Sequence, residues 1–584
     1  ITKLIAILAV GVLFLGIRLF DVQAVNASDY VARANNELYL SSTLLAPRGE
    51  ITDVNGTAFA RSVSRINIVV DQKMIVNPEV TAAIAAPILN MSQSDVLSRI
   101  VGPKRWYLVA RNATPAQWNA LKEAFANYNN GLSKQEFNKR IVGFFPERNY
   151  SREYPAGSTV ASLIGFTNQA GDGAAGIESA MNSILKGQDG KYIYANGIWA
   201  EIPGTQQQIV QAKAGNSIRL TIDRDIQYVA ENAIASAVKS SMAKSGTVIV
   251  MDPKTGQILA HATAPTFDPN KPVKLSDVHN ASVEEVYEPG STGKVMTLAA
   301  AIEENQVTPT TVFTVPYALK TKYATFHDHE RHPNQQLTTA GILAVSSNTG
   351  AIQIGAKLSD QKLYDYLRAF GVGSSTDSGL PGESPGLINS PKNWSGTSKP
   401  TMSFGQGYSL TAMQATSIFA TIANDGVRVE PTVIAGTQDA KGHYTPAKSR
   451  KSVRVISAET AQKMRLMMES VVSANGTAPS AAIPGYRIAG KTGTAQRVVN
   501  GHYSGYTASF IGFAPADNPR YVISVTIQAP QGMHWGGVLG GPVFKEVMSY
   551  VLEAKHIPPS NTKVIPIPLN AAQLAATAPK ETKQ

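Results

Sequence analysis

Ser291 and Lys294 stand three positions apart in Glu288-Pro289-Gly290-Ser291-Thr292-Gly293-Lys294. The Pro-Gly turn before them predicts a helix starting here, and that spacing then puts both side chains on one face. A serine hydroxyl is a poor nucleophile until a neighbour takes its proton. An amine one helical turn away takes it only when neutral, a state favoured by burial and by nearby positive charge. Alone, the pattern is common, and a serine in such a turn reads as a helix cap.

Two further pieces follow in order. Ser346-Ser347-Asn348 comes after an apolar helical run, and Lys491-Thr492-Gly493-Thr494 after a strand-like approach. The successive gaps are about 55 and about 145 residues, and the ordered coincidence is far more specific than any one piece. Lys294 is the candidate general base and Lys491 a source of positive charge. Ser346 is placed to relay the proton to a leaving group, and Asn348 to hold the lysine and a substrate amide. Lys491, Thr492, Gly493 and Thr494 offer charge and hydroxyls to a substrate carboxylate. The backbone N–H groups of Ser291 and Thr494 form the candidate oxyanion hole, where one lost donor costs about 10²–10³ in rate.

The elements that must position these residues are legible in outline. Residues 25–220 read as one mixed α/β region, with an Asn55-Gly56 hairpin turn, a short strand over 66–71 and a helix-rich stretch over 80–140. Residues 171–190 read as a Gly-rich entry and one short helix carrying Glu178. A second region, 221–555, opens on a helix capped by Asp223 or Asp225, with an apolar stripe from Ile226 to Val238. Strand pairs follow at 247–251 with 257–262 and at 509–513 with 521–527, and a helix closes the region over 541–553. Helices between the pairs predict an antiparallel sheet flanked by helices. Residues 556–584, rich in Pro, Ala and Lys, read as a flexible tail.

Composition narrows the setting. The 584 residues are 43% hydrophobic and 16% charged, an ordered chain long enough for three or four domains. There is no cysteine, which excludes disulfides, thiolate metal sites and a cysteine nucleophile. The net charge of +11 favours anionic partners, but no dense basic helix or zinc-finger spacing supports nucleic acid. Residues 4–17 are uncharged and apolar, with Lys3 before and Arg18 after, a membrane anchor at the short limit for a span. If Lys3 marks the inside, everything after about residue 24 lies outside the membrane. The alternative is a signal peptide cleaved near Val22-Gln23-Ala24. His327-Asp328-His329-Glu330-Arg331-His332 has the residue types of a zinc site, but no fourth ligand is evident, and a solvated rim is the better reading.

The chain resembles the class B penicillin-binding proteins over roughly residues 1–553. Beyond the three motifs, the matching stretches include Arg48-Gly49-Glu50-Ile51, Tyr154-Pro155-Ala156-Gly157, Gly176-Ile177-Glu178, Leu220-Thr221-Ile222-Asp223, Phe267-Asp268-Pro269-Asn270, Phe404-Gly405-Gln406-Gly407-Tyr408 and Pro542-Val543-Phe544. The resemblance implies a transmembrane anchor (1–24), a non-catalytic pedestal of the dimerisation type (25–220) and a penicillin-binding/β-lactamase-like transpeptidase domain (221–555). It implies a peptidoglycan D,D-transpeptidase that forms an acyl-serine intermediate on Ser291, uses no cofactor or metal, and is trapped by β-lactams. Gly165-Phe166-Thr167-Asn168 favours the division (FtsI) branch over the side-wall branch. It also implies a SEDS glycosyltransferase partner of the FtsW kind and divisome proteins, since no region resembles a glycosyltransferase. A D,D-carboxypeptidase or β-lactamase is the main alternative, but no additional water-activating base is identifiable. Three departures stand out: Gly293 where many relatives carry a larger residue, Val54 where arginine is common, and His279-Asn280-Ala281-Ser282, which lacks an arginine often found there.

Overall fold

The apolar N-terminal run forms one helix, α1 (Thr2–Phe20), extended by a wider turn over Asp21–Val25. Together they make 24 residues with no buried side chain, long and apolar enough to cross a membrane. The computed structural model describes all residues except 196–204, 206, 275–277, 500–501, 565 and 578–584. The chain divides into two compact units, residues 1–49, 62–152 and 184–216 in the first and 50–61, 153–183 and 217–584 in the second.

In the first unit, helices α2 (Pro78–Leu89), α3 (Gln93–Ile100) and α4 (Pro115–Asn130) enclose a core of Ile68, Val70, Leu89, Val96, Ile100, Val109, Leu121 and Phe125. Thr114 caps α4 by a reciprocal capping box with Gln117. The helix-rich stretch expected over 80–140 is interrupted by a strand, Tyr107–Ala113, which pairs with the end of Ala58–Val70. That long strand is twice the length expected from residues 66–71. Its middle, Arg61-Ser62-Val63-Ser64-Arg65, is mostly polar and has no buried residue, so the strand carries no continuous apolar signal.

The second unit is built on a five-stranded antiparallel sheet. Asp223 caps α5 (Arg224–Ser240) by accepting from the Asp225 and Ile226 N–H groups. Then come β1 (Ser245–Met251) and β2 (Ile258–Ala264), and from the far end of the chain β3 (Ala489–Val499), β4 (His502–Ala514) and β5 (Tyr521–Gln528), in the order β2-β1-β5-β4-β3. Every residue of β1, β2 and β5 is buried, so both faces are covered. The closing helix, Gly536–Ala554, begins five residues earlier than expected and packs on β4 and on α5.

Two segments that precede residue 220 in sequence fold into this unit. Tyr154 and Asn270 exchange hydrogen bonds, Tyr154 N–H to Asn270 Oδ1 at 3.0 Å and Asn270 Nδ2 to the Tyr154 carbonyl at 2.9 Å. Phe166 meets Phe267 edge-on at 6.3 Å. The Tyr-Pro-Ala-Gly and Phe-Asp-Pro-Asn stretches are thus two halves of one joint. The single helix expected over 171–190 is instead two short turns, Gly176–Ala180 and Asn182–Leu185. The backbone there presses against Gly165, where no side chain fits.

The expected flexible tail needs correction. Residues 556–562 hydrogen-bond to Gly485, Tyr486, Arg487 and Asp517, and residues 566–577 pack on the unit and end in a short helix, Ala571–Thr577. Pro and Lys content suggested disorder, but Ile567, Leu569 and Leu574 supply half-buried apolar contacts. Residues 578–584 lie outside the described residues.

Candidate active site

The turn carrying Ser291 is shaped by close backbone approach. Gly290–Gly293 form a 3-10 turn that runs directly into a helix, Lys294–Glu303, so the α-helix proper starts at Lys294. On one side lies β3. A β-carbon at Gly493 would meet Ser509, the Pro289 carbonyl and Thr292, so the strand reaches the turn only as glycine. On the other side, the Gly290 N–H donates to the Gly405 carbonyl at 2.9 Å.

Gly293 is explained by the same loop. A β-carbon there would collide with the hydroxyl of Tyr408 and with Gly405. The Tyr408 hydroxyl occupies the space a side chain at 293 would take. Gly293→Val should therefore cost about 1–3 kcal/mol through overpacking. A Tyr408→Leu background should recover much of that loss, a non-additivity readable in the urea unfolding of the catalytic unit. Additive effects would contradict this account of Gly293.

Lys294 and Lys491 are both fully buried. Lys294 Nζ lies 2.9 Å from Ser291 Oγ, 2.8 Å from Asn348 Oδ1, 2.5 Å from the Ser346 carbonyl and 3.3 Å from Ser346 Oγ. Lys491 Nζ is 2.9 Å from Ser346 Oγ and 3.2 Å from the carbonyl and hydroxyl of Thr492. The polar groups therefore run Ser291–Lys294–Ser346–Lys491 without a gap. Burial pushes the Lys294 amine down to about 7, against the pull of the Asp328 charge. Lys491 is pushed well below the usual lysine range, first by burial and then by repulsion from Lys294. Of the two agents expected from the sequence, burial and nearby positive charge, burial is thus the one that lowers the Lys294 amine.

Asp328 is not a solvated rim residue, as expected, but a buried anchor. Its Oδ1 accepts from the backbone N–H groups of Asn348 at 2.5 Å and Thr349 at 2.8 Å, and its Oδ2 from Ser347 Oγ at 2.6 Å. His332 Nε2 lies 3.0 Å from the same Oδ2. The carboxylate thereby fixes the start of the helix Asn348–Gly355 and aims Asn348 at Lys294. Ser346 itself is held in the left-handed region at φ +63°, a strained conformation that only the surrounding contacts sustain. Neither Asp328's anchoring role nor Tyr408 was legible from spacing; the acidic residue near Ser-x-Asn and the Phe-Gly-Gln-Gly-Tyr stretch were the available signals.

The cleft above Ser291 has a volume of about 800 Å³. Strand alternation presents Thr492, Thr494 and Gln496 to it. Gly493, expected to bind substrate, is buried on the other side against the nucleophile turn, and Lys491 reaches Ser346 instead of the open cleft. The mouth is aromatic: His534 stacks on Tyr506 at 4.1 Å, and His329 meets Trp535 edge-on at 4.3 Å. Two carboxylates line the cleft among the described residues. Asp328 is engaged as above, and Glu330 is exposed.

The other departures also have local accounts. The Val54 N–H donates to the Ile222 carbonyl at 2.9 Å, a main-chain contact indifferent to the side chain. Asn280 and Ser282 are buried and form a polar cluster with His261, which anchors that segment without an arginine.

Comparison with known proteins agrees with this geometry. The model of the penicillin binding protein transpeptidase domain matches residues 246–549, and that of the penicillin-binding protein dimerisation domain matches 43–220. Penicillin-binding protein PbpB of Mycolicibacterium smegmatis is 34% identical, over 97% of this chain and 92% of its own. The chain is a class B penicillin-binding protein of the FtsI type. The peptidoglycan D,D-transpeptidase FtsI of Buchnera aphidicola is 29% identical, over 96% of each chain. Among solved structures, penicillin binding protein 3 of Mycobacterium tuberculosis complexed with aztreonam superposes with a TM-score of 0.70 at 29% identity, covering 91% of this chain and all of that one.

Proposed function

We propose that this class B penicillin-binding protein is a serine D-Ala-D-Ala transpeptidase that cross-links peptidoglycan stem peptides. The observation that carries the reading is the unbroken Ser291–Lys294–Ser346–Lys491 chain, with a base pushed down to about 7. Neutral Lys294 takes the Ser291 proton as Oγ attacks the carbonyl of the penultimate D-alanine. The backbone N–H groups of Ser291 and Thr494 receive the oxyanion. Ser346, between the two amines, passes a proton to the departing D-alanine nitrogen. The peptide bond breaks and an acyl ester on Ser291 remains. The amine of a second stem then attacks that ester, forms the cross-link and returns the proton to Ser291. Thr492 and Thr494 bind the terminal carboxylate, and Lys491 holds Ser346 from beneath the strand.

The carboxylates of the cleft argue against hydrolysis assisted by a carboxylate base, and we read the acyl ester as passing to an amine. Asp328 is fully engaged and Glu330 is exposed, so neither is placed as a base for water. With a D-Ala-D-Ala-terminated stem peptide as donor and an added amine acceptor, the amide product should rise with acceptor concentration at the expense of free acid. Hydrolysis that ignores the acceptor would make the protein a carboxypeptidase.

The setting follows from the anchor and the pedestal. With Lys3 inside, the chain beyond the anchor lies outside the membrane, where the wall is assembled. The Gly165–Asn168 stretch and the FtsI-type relatives favour septal synthesis, alongside a SEDS polymerase and other divisome proteins. A tagged copy should concentrate at the division site; a uniform side-wall distribution would favour the elongation role.

A further inference from the structure

The Ser346 turn is carried by a small element that also touches the C-terminal segment. A four-residue strand, Gln335–Thr338, leads into a six-residue helix, Thr339–Ala344, and then into Ser346. A helix this short has little stability of its own. One edge of the strand pairs with Val312–Val315. The other side meets the C-terminal segment. Leu337 pairs with Asn570 in an antiparallel bridge, and the Thr338 N–H donates to the Leu569 carbonyl at 3.1 Å. Thr338 Oγ1 donates to the Pro568 carbonyl at 2.7 Å while accepting from the Gly341 N–H at 3.0 Å as the cap of the helix. A β-carbon on Gly341 would overlap the Leu569 carbonyl oxygen, so the segment lies directly on the first turn.

The segment is suited to docking. Pro566 and Pro568 bias the run toward extended backbone before it binds, which lowers the entropy lost on docking. Asn570 then caps the helix Ala571–Thr577 by accepting from the Gln573 N–H at 2.9 Å, and Gln573 Oε1 accepts from the Leu569 N–H at 2.7 Å. None of these residues lines the cleft.

We propose that residues 566–577 form a strap that positions the Ser346 turn, so that acylation of Ser291 is fast only when the strap is docked. This rests on the reading of Ser346 as the proton relay. Undocking frees the strand and short helix on one side, and the left-handed Ser346 relaxes away from the two lysines. The strap residues are positioning residues and touch no substrate.

The test uses four forms of the protein: the full chain, a chain ending at Ile565, Gly341→Ala, and both changes together. Glycine to alanine ordinarily favours a helix, so a loss in Gly341→Ala reports ejection of the strap. Truncation and Gly341→Ala should each lower the acylation rate by benzylpenicillin about 3–30-fold. The loss should fall on the limiting rate and not on the half-saturating concentration. The double change should be no worse than truncation alone, and a synthetic 566–577 peptide should restore part of the truncated chain's rate. A truncated chain that melts earlier but acylates within about twofold of the full chain overturns the strap, as do two effects that simply multiply. A full chain that is not acylated at all overturns the reading of the site beneath it.

Discussion

Ser291→Ala should abolish covalent labelling by a fluorescent penicillin while leaving the fold intact. The hydroxyl is the atom that becomes the ester, and no neighbouring group replaces it. Lys294 lies 2.9 Å from Ser291 Oγ, but it is fully buried beneath the turn. Removal of a catalytic serine in a coupled set typically costs about 10⁶ in turnover. Labelling should therefore fall below detection on any practical timescale. The substitution removes one oxygen from a turn held by Gly290, Gly405 and Gly493, so the melting temperature should move little. Labelling that survives would place the nucleophile elsewhere.

The second large effect concerns Lys294. Lys294→Met should fold and bind β-lactam, but acylate about 10²–10⁴-fold more slowly, the range a positioned general base supplies. In the parent, the acylation rate should rise with pH about tenfold per unit at low pH and level off above about 7, as Lys294 loses its proton. In Lys294→Met that inflection should disappear. Stopped-flow acylation across pH 5–9 measures both; near-normal acylation by Lys294→Met would remove Lys294 as the base.

The same amine bears on stability, with a definite sign. An unfolded lysine keeps its proton to about 10.4, whereas folded Lys294 gives it up at about 7. Between those values the unfolded chain binds more protons, so this group makes the fold more stable as pH rises through the window. Lys491, also lowered by burial, acts in the same direction. Lys294→Met should flatten part of that rise and match or exceed the parent's stability near neutral pH. Such a gain would mark Lys294 as retained for chemistry at a cost in stability.

The parts of the fold that sequence made legible are those in which local chemistry decides. Asp223 caps its helix because a short carboxylate suits the exposed N–H groups there. The turn at Asn55-Gly56 was readable for a similar reason. Three motifs in fixed order pointed to one site, and the structure brings Ser291, Lys294, Ser346, Asn348 and Lys491 together. What stayed hidden depends on partners distant in sequence. The void at Gly293 is filled by Tyr408, more than a hundred residues away. Asp328 reads as part of a polar histidine-rich run until Ser347, Asn348 and Thr349 fold onto it. The C-terminal segment has a tail-like composition, and its order comes from contacts with Gly485–Arg487, Asp517 and the strand Gln335–Thr338. Local patterning carries none of these contacts.

The central claim is that Ser291, activated by a neutral Lys294, is the acylated atom. Digestion of the benzylpenicillin-treated protein and peptide mapping by mass spectrometry test it most directly. The account predicts one stable penicilloyl ester, on the peptide containing Ser291. It also predicts that the rate of its appearance climbs with pH to a plateau above about 7. An adduct on any other residue, or a rate on Ser291 indifferent to pH between 5 and 8, would contradict it.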